Sequence, residues 1–359
     1  MEKERVCVTG AGGFVASWIV KLLLSKDYTV HGTVRRLDGK YDHLNKFENA
    51  SENLKLFEAD LLDYNSLCSA IKGCTGVLHV ASPVPSSSVQ NPEIELLEPA
   101  VKGTLNVLKA CSEAKVKRVV YVSSISAIVM NPMWPKERVK DETCWSDKEY
   151  CITTKGDIVL PYCHASLRYK SEAHAFIAAL TAIPLMPQNW YGLSKREAES
   201  AAVEFAKVNG LDMVRICPAL VFGPLLQSRV NASSLVLVKL MEGTYLRLVN
   251  DGDDSMPNKL RNLVDVRDVA AAVLLGYENL EAEGRYVCTA HAIKTRDLVV
   301  KLRSSYPNYS YPQNFSETDE EDRLSSAKLQ RLGWSYRPLE ETLVDSIESY
   351  QKAGLLNGK

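Results

Sequence analysis

Residues 9–16 read TGAGGFVA and join the apolar strand pattern RVCV at residues 5–8 to a helical pattern that begins at Phe14. Gly10 and Gly13 are three positions apart, and Ala16 takes the third small position. Glycine lets the backbone turn tightly and approach a pyrophosphate, and the N-terminus of the following helix supplies amide donors. The stretch therefore predicts a dinucleotide-binding turn with Phe14 and Val15 beside the cofactor. A glycine-rich turn without a ligand is the alternative.

Strand and helix patterns alternate through the rest of the first half. Strands are predicted at YTVHGTV, LKLFEAD, GVLHVAS and RVVYVSS, and helices at LLDYNSLCSAIKG and PEIELLEPAVKGTLNVLKACSEA. The strand patterns are nearly continuous apolar runs, as expected of strands buried on both faces of a parallel sheet. The predicted fold class is α/β, an NAD(P)-binding Rossmann doubly wound parallel sheet with a smaller C-terminal substrate lobe.

The 359 residues suffice for a large domain and an appended lobe. We predict that residues 1–217 form the dinucleotide-binding Rossmann domain and that residues 218–359 form mainly the substrate-binding lobe. Within the second range, residues 259–290 are expected to return to the Rossmann core.

Composition and charge narrow the class of protein. Apolar residues make up 46% of the chain, and the net charge is −1 with acids and bases interspersed, which argues against disorder and nucleic-acid binding. No apolar run is long enough to cross a bilayer, and the charged N-terminus does not resemble a signal peptide. The nine cysteines are scattered without C-x-x-C spacing. We therefore expect a cytoplasmic monomer or homodimer that acts on a small molecule and binds neither metal nor membrane.

The ends of the predicted strands indicate which cofactor is bound. The second strand ends TVRR, so that Arg35 and Arg36, with Lys40 nearby, stand where a carboxylate would favour NAD. Cations there suit a 2′-phosphate and predict NADPH, with solvated surface arginines as the alternative. From the topology, two further groups of residues are expected to line the adenine and the middle of the cofactor: Asp60 and Leu61 after the third strand, and Val80, Ala81 and Ser82 after the fourth.

Candidate catalytic residues follow the fifth strand. Ser123 and Ser124 end that strand at the carboxyl edge of the sheet, where ligands bind in such folds. The stretch NWYGLSK at residues 189–195 places Tyr191 and Lys195 on one face of a helix. For carbonyl reduction, the oxygen needs a proton, and a lysine cation together with the charge of the oxidised nicotinamide is expected to lower the tyrosine pKa from about 10. A chance pair on a surface helix is the alternative.

Taken together, the motifs resemble the extended short-chain dehydrogenases/reductases, in particular the plant cinnamoyl-CoA reductase-like and dihydroflavonol reductase group. The resemblance spans nearly the whole chain: VCVTGAGGFVASWIVKLLL, TVHGTVR, DLLDYNSL, GVLHVASPV, GTLNVLKAC, VKRVVYVSS, DETCWSD, NWYGLSK, NASS and LVDVRDVA. It implies Tyr191 as proton donor, Lys195 as its partner and Ser124 as the triad serine. It also implies that Pro218 to Val221 and Ser233 line the nicotinamide end.

Two departures from the family pattern concern the substrate. True cinnamoyl-CoA reductases resemble one another at NWYCYGK, and here Gly192 replaces a cysteine, so a redox switch with Cys144 and Cys151 is not expected. In the coenzyme-A-ester signature of the family, a histidine precedes a lysine by three residues. Here Lys239 remains but Val236 replaces the histidine, which favours an aldehyde or ketone over a thioester.

A third departure is an insertion at residues 156–188. In the family, the segment matching CITTK runs straight into NWY, and removal of these 33 residues leaves the continuous sequence CITTKNWYGLSK. Because long structureless insertions within compact domains are uncommon, we interpret the segment as a retained intron or a wrong gene model. A true loop insertion beside the active site is the alternative.

Three functions are compatible with these patterns. The first is an NADPH-dependent oxidoreductase that reduces a phenylpropanoid-like aldehyde or ketone with a Ser-Tyr-Lys triad. The second is a nucleotide-sugar epimerase or dehydratase of the NAD-dependent epimerase/dehydratase family, against which Arg35 argues because epimerases usually retain NAD. The third is a cofactor-binding isoform inactivated by the insertion at residues 156–188.

Overall fold

A computed structural model of the chain describes residues 4–83, 91–153, 190–244, 255–318 and 321–357. The insertion inferred at residues 156–188 lies outside these described residues, as does Asn189 of the NWYGLSK stretch.

The described residues form alternating strands and helices. The strands are β1 Arg5–Thr9, β2 Thr29–Val34, β3 Leu54–Glu58, β4 Gly76–His79, β5 Arg118–Val122, β6 Met213–Pro218, β7 Leu220–Phe222, β8 Ser255–Pro257, β9 Leu260–Asp265, β10 Gly284–Cys288, β11 His291–Lys294 and β12 Asn314–Ser316. The α-helices are α1 Phe14–Ser25, α2 Asp42–Asn45, α3 Ala50–Asn53, α4 Tyr64–Ile71, α5 Glu98–Glu113, α6 Lys148–Thr153, α7 Trp190–Asn209, α8 Ala232–Met241, α9 Val266–Glu278, α10 Thr295–Ser305, α11 Ala327–Arg331 and α12 Leu339–Lys352. A π-helical turn, Glu93–Leu97, precedes α5, and a 3-10 turn, Ile125–Ala127, follows β5.

Seven strands form the central sheet in the order β10-β6-β5-β4-β1-β2-β3, and every neighbouring pair in it is parallel. The chain moves outward from β1 to β3 and then begins again on the other side of β1 with β4. This reversal makes a crevice at the carboxyl ends of β1 and β4, where such sheets bind their ligands. The predicted α/β class is confirmed.

Burial explains why the apolar runs became strands of this sheet. Every residue of β4 and of β5 is buried, and β1 is buried from Val6 to Thr9. Helix α1 places Ile19, Val20, Leu23 and Leu24 in the same core, each 1% exposed or less. Such side chains each contribute about 1.5–3 kcal/mol on burial, so helices must cover both faces of the sheet.

The chain after β6 contributes to two regions. Strand β10 pairs with β6 at the edge of the central sheet, and α9 packs against α1 in the core of that sheet. The short strands β11, β9 and β7 form a second sheet, and β12 pairs with β8. A separate apolar core contains side chains of α8, α10 and α12.

Candidate active site

The glycine turn has a conformation that only small residues allow. Gly10 has a φ of +66°, and a Cβ built on it would lie 3.0 Å from the Cβ of Ala81. The hydroxyl of Thr9 accepts hydrogen bonds from the amides of Val80 and Ala81 at 3.1 and 3.0 Å. These contacts hold the ends of β1 and β4 together at the glycine turn.

A cavity of about 1350 Å³ extends from this turn across the carboxyl edge of the sheet. Apart from Arg36 and Lys40, every residue that the sequence analysis assigned to the cofactor or to catalysis lines this cavity. These residues are Gly10, Gly13, Phe14, Val15, Ala16, Arg35, Asp60, Leu61, Val80, Ala81, Ser82, Ser124, Tyr191, Lys195, Pro218, Val221 and Ser233.

The three cations considered for a 2′-phosphate differ in position. Arg35 lines the cavity, whereas Arg36 and Lys40 are not among the described residues that do so. The ammonium of Lys40 instead lies 2.6 Å from the carboxylate of Asp38. Of these three cations, Arg35 is therefore the one that borders the cavity.

Tyr41 is a cavity residue that the sequence analysis missed. A Cβ built on Gly12 would lie 2.0 Å from the ring of Tyr41, so the aromatic ring rests directly on the glycine turn. The position of this ring depends on the loop between β2 and α2, and no motif marks it.

The two serines after β5 have different partners. The hydroxyl of Ser123 donates a 2.6 Å hydrogen bond to the carboxylate of Glu199. The side chain of Ser124 instead accepts from the amide of Ser126 at 3.1 Å and also hydrogen-bonds the phenol of Tyr191. Of the two hydroxyls, the Ser124 hydroxyl is therefore the one that shares a site with the tyrosine.

Tyr191 and Lys195 lie one turn apart near the start of α7, with the ammonium 5.8 Å from the centre of the tyrosine ring. Burial raises the pKa of Tyr191 to about 12, and the hydrogen bond with Ser124 opposes this rise. Burial also lowers the pKa of Lys195 to about 8, against the favourable charge of Glu199. Burial and Ser124 are thus the causes of the Tyr191 shift, and the expected lowering of this pKa by Lys195 together with the charge of the oxidised cofactor stays a prediction.

Beneath this pair lies a buried carboxylate, Glu199, one turn further along α7. It accepts hydrogen bonds from Arg285 at 2.6 Å and from Arg215 at 3.2 Å, as well as from Ser123. The guanidinium of Arg285 stacks 3.7 Å from the ring of Trp145 and donates to a backbone carbonyl at 2.7 Å. Glu199 therefore joins the helix of the tyrosine to β5, β6 and β10.

The far wall of the cavity combines the segment after β5 with residues from late in the chain. Met130 and Trp134 line it, whereas Met133 is 86% exposed and is not among the described residues that do so. The ammonium of Lys140 lies 2.5 Å from the carboxylate of Asp322, and the backbone of Lys140 pairs with residues 323 and 325. The sequence analysis missed this contribution of residues 321–323, because no motif marks the segment.

Two cysteines and one histidine that could titrate are buried in the fold. Cys144 and Cys151 are buried free thiols, and burial raises the pKa of each to about 11. Burial, together with the charge of Lys195, lowers the pKa of His79 to about 3, so this core histidine is neutral.

In the described ranges, no group of three or more His, Cys, Asp or Glu side chains could hold a metal ion. No helix in that part of the chain is both long and apolar enough to cross a membrane.

A glycine turn at the reversal point of a parallel sheet, opening on a cavity that contains a serine, a tyrosine and a lysine, is the arrangement of an extended short-chain dehydrogenase/reductase. The chain belongs to the NAD dependent epimerase/dehydratase family, whose sequence profile matches residues 6–288.

Individual relatives extend this similarity over nearly the full chain. The chain is 43% identical to cinnamoyl-CoA reductase 1 of Petunia hybrida, over 98% of this chain and 94% of the relative. It is similar in structure to vestitone reductase from alfalfa, with a TM-score of 0.74 and 30% identity over 99% of this chain and 100% of the other. It also resembles the complex of Gre2 with NADPH from Candida albicans, with a TM-score of 0.72 and 28% identity over 98% and 99% of the two chains. The predicted family is therefore confirmed.

Proposed function

We propose that the protein is an NADPH-dependent oxidoreductase that reduces the carbonyl group of an aldehyde or ketone with a phenylpropanoid-like body. The observation that carries the proposal is the meeting of Ser124, Tyr191 and Lys195 at the cavity that begins at the glycine turn. The relatives named for cinnamoyl-CoA and vestitone reduction support the substrate class.

The cavity suits a dinucleotide at the end formed by the glycine turn. Gly10 and Gly13 line the cavity without side chains, so a ligand can approach their backbone closely. The first turn of α1 faces the same cavity through Phe14, Val15 and Ala16, and its free amides favour a pyrophosphate. When bound, NADPH supplies the hydride, and its oxidised ring then carries a positive charge.

The chain's own residues supply and move the proton. In the proposed reaction Ser124 hydrogen-bonds the carbonyl oxygen, and Tyr191 donates its phenolic proton to that oxygen. The raised pKa of Tyr191 keeps it protonated near neutral pH, which is the form that reduction requires. The Lys195 ammonium and the Ser124 hydroxyl then stabilise the tyrosinate that remains.

Arg35 provides a prediction about cofactor choice. Replacing Arg35 with alanine is expected to reduce the preference for NADPH over NADH by about 10- to 100-fold, because a charge-assisted hydrogen bond to the 2′-phosphate is lost. The ratio of the two dissociation constants, measured by fluorescence titration, checks this. Arg36→Ala is the matched control, since Arg36 is exposed beside Arg35 without lining the cavity. If the two substitutions changed the preference for NADPH over NADH equally, the assignment of Arg35 to the 2′-phosphate would be contradicted.

Lys195 provides a prediction about pH. If its cation bonds the ribose of the cofactor, NADPH affinity should be constant below about pH 8 and weaken about tenfold per pH unit above it. The direction follows from the lowered pKa, because the charged form is lost as pH rises through that value. Dissociation constants measured from about pH 6 to about pH 10 check this. The Lys195→Met variant should bind NADPH more weakly, and its affinity should not change with pH near pH 8. A constant NADPH affinity of the unaltered protein across the pH range would contradict the prediction.

The function itself is tested by following NADPH oxidation with cinnamaldehyde, phenylacetaldehyde, a dihydroflavonol and feruloyl-CoA. We expect turnover of an aldehyde or ketone with release of NADP⁺. Turnover of feruloyl-CoA alone would show that the carbonyl class is wrong. Bound NADPH without turnover of any of the four would favour the epimerase or the inactive isoform over the reductase.

The insertion at residues 156–188 needs a separate comparison. We propose that it is a retained intron or a wrong gene model, because the sequences on its two sides join into a continuous family motif. The same assay on a chain lacking these residues should show higher turnover than the full chain, and equal turnover would indicate a tolerated loop. Transcript sequencing provides an independent test, since a main message that encodes all 33 residues would overturn the intron proposal.

A further inference from the structure

Gly192 follows Tyr191 in the first turn of α7, and its α-carbon faces the side chain of Met130. A Cβ built on Gly192 would lie 1.7 Å from Met130 Cε and 3.1 Å from Met130 Sδ. Real Cβ atoms essentially never approach another heavy atom within 3.0 Å. The end of the Met130 side chain therefore occupies the space that any larger residue at position 192 would need.

The backbone of Met130 is fixed on both sides. Its amide donates a 3.0 Å hydrogen bond to the hydroxyl of Ser146, and its carbonyl accepts from the amide of Asp147 at 2.7 Å. Steric pressure from position 192 must therefore be relieved by rotation of the methionine side chain, whose unbranched thioether turns readily.

The surroundings of Met130 limit where that side chain can go. Its sulfur lies 4.0 Å from the sulfur of Cys151, and Val129 and Leu193 belong to the same buried cluster. A close-packed cluster has no room for a displaced methyl group. Met130 also lines the cavity that contains Ser124 and Tyr191, so the cavity is the side on which it has space to move.

We propose that Met130 is a specificity-determining residue of this protein, and that Gly192 sets its position and so the width of the cavity beside Tyr191. With the methyl group of Met130 held against Gly192, the cavity accepts a substrate whose flat aromatic ring lies next to the phenol of Tyr191. With a side chain at position 192, Met130 turns into the cavity. The aromatic substrate is then excluded, whereas a short aliphatic carbonyl compound still fits. The inference rests on the proposed carbonyl reduction.

The test compares kcat/KM for cinnamaldehyde and for propanal in the full chain. Gly192→Ala is expected to lower the cinnamaldehyde-to-propanal ratio by about 10-fold, the usual scale for one extra methylene in an apolar pocket. Alanine favours a helix more than glycine does, so the substitution itself should not disrupt α7. The double variant Gly192→Ala/Met130→Ala should restore the ratio, because the side chain that is pushed into the cavity is then absent.

Two further variants separate this effect from a general effect on the fold. Gly276→Ala is the matched control, since this glycine lies in α9 with the nearest contact of its added Cβ at 3.2 Å on Val214, and it does not line the cavity. Its ratio should equal that of the unaltered protein. Met130→Ala alone should keep the ratio or raise it, because it widens the cavity without using position 192.

An unchanged ratio in Gly192→Ala, or no recovery in the double variant, would overturn the role of Met130 while leaving the proposed reductase function intact. If the unaltered protein oxidised NADPH with neither of these aldehydes and with neither phenylacetaldehyde nor the dihydroflavonol, the proposed function would be overturned, and this inference with it.

Discussion

Replacing Tyr191 with phenylalanine is expected to lower kcat for carbonyl reduction by about 10²- to 10⁴-fold, the range attributed to a well-placed general acid. The substitution removes the one phenolic proton that Ser124 orients in the cavity, and it leaves the apolar ring in place. Because the ring still packs, the dissociation constant for NADPH should change little. Steady-state kinetics and a fluorescence titration of the cofactor measure the two quantities separately.

The control for this prediction is Tyr121→Phe. Tyr121 is a second buried tyrosine, 3% exposed on β5, and it is not among the described residues that line the cavity. Its removal should leave kcat within a few-fold of the unaltered value. If Tyr191→Phe retained more than about a tenth of the activity, Tyr191 would not be the proton donor.

Replacing Glu199 with glutamine is expected to cost about 3–5 kcal/mol of the free energy of unfolding, the range found when one partner of a buried ion pair is removed. The carboxylate is fully buried, and the side chains of Arg285 and Arg215 are only 2% and 15% exposed. Without the carboxylate, two arginines keep their charges beneath the active site with no compensating anion. Urea denaturation followed by fluorescence measures the loss.

A surface ion pair provides the comparison for Glu199. Glu340 lies 2.6 Å from Lys301, and the two side chains are 64% and 39% exposed. Glu340→Gln should cost at most about 1 kcal/mol, because water already screens the pair. Similar losses in the two variants would show that Glu199 does not stabilise the fold through its buried charge.

Glu199 also shows how tertiary contacts extend a motif. Along the chain it is only the fourth residue after Lys195, in a run of charged and small residues that reads as an ordinary helix surface. The fold brings Arg215 and Arg285 to it from two different strands, and the stacked ring of Trp145 covers one of them. No local sequence pattern predicts this network, since the two arginines lie 16 and 86 positions from Glu199 along the chain.

The site residues also differ in whether a local sequence pattern or a tertiary contact supports their assignment. The glycine turn, the strand ends and the Tyr-Lys spacing were all visible as local patterns, and most of those residues do meet at one cavity. Their roles as cofactor and catalytic groups remain predictions. The choice between Ser123 and Ser124 came first from the family resemblance, whereas the structure supplies a physical reason, since Glu199 engages one hydroxyl and Tyr191 the other.

Local sequence patterns were enough to identify the α/β class, the family and the position of the glycine turn, because each depends on short-range periodicity or on backbone freedom at a few glycines. The assembled fold was needed to show which cation lines the cavity, the direction of the Tyr191 and Lys195 pKa shifts, and the contact between Gly192 and Met130. These properties depend on burial and on distances between residues far apart in the chain. Desolvation and close packing arise only when the strands and helices are assembled, so no local pattern can encode them.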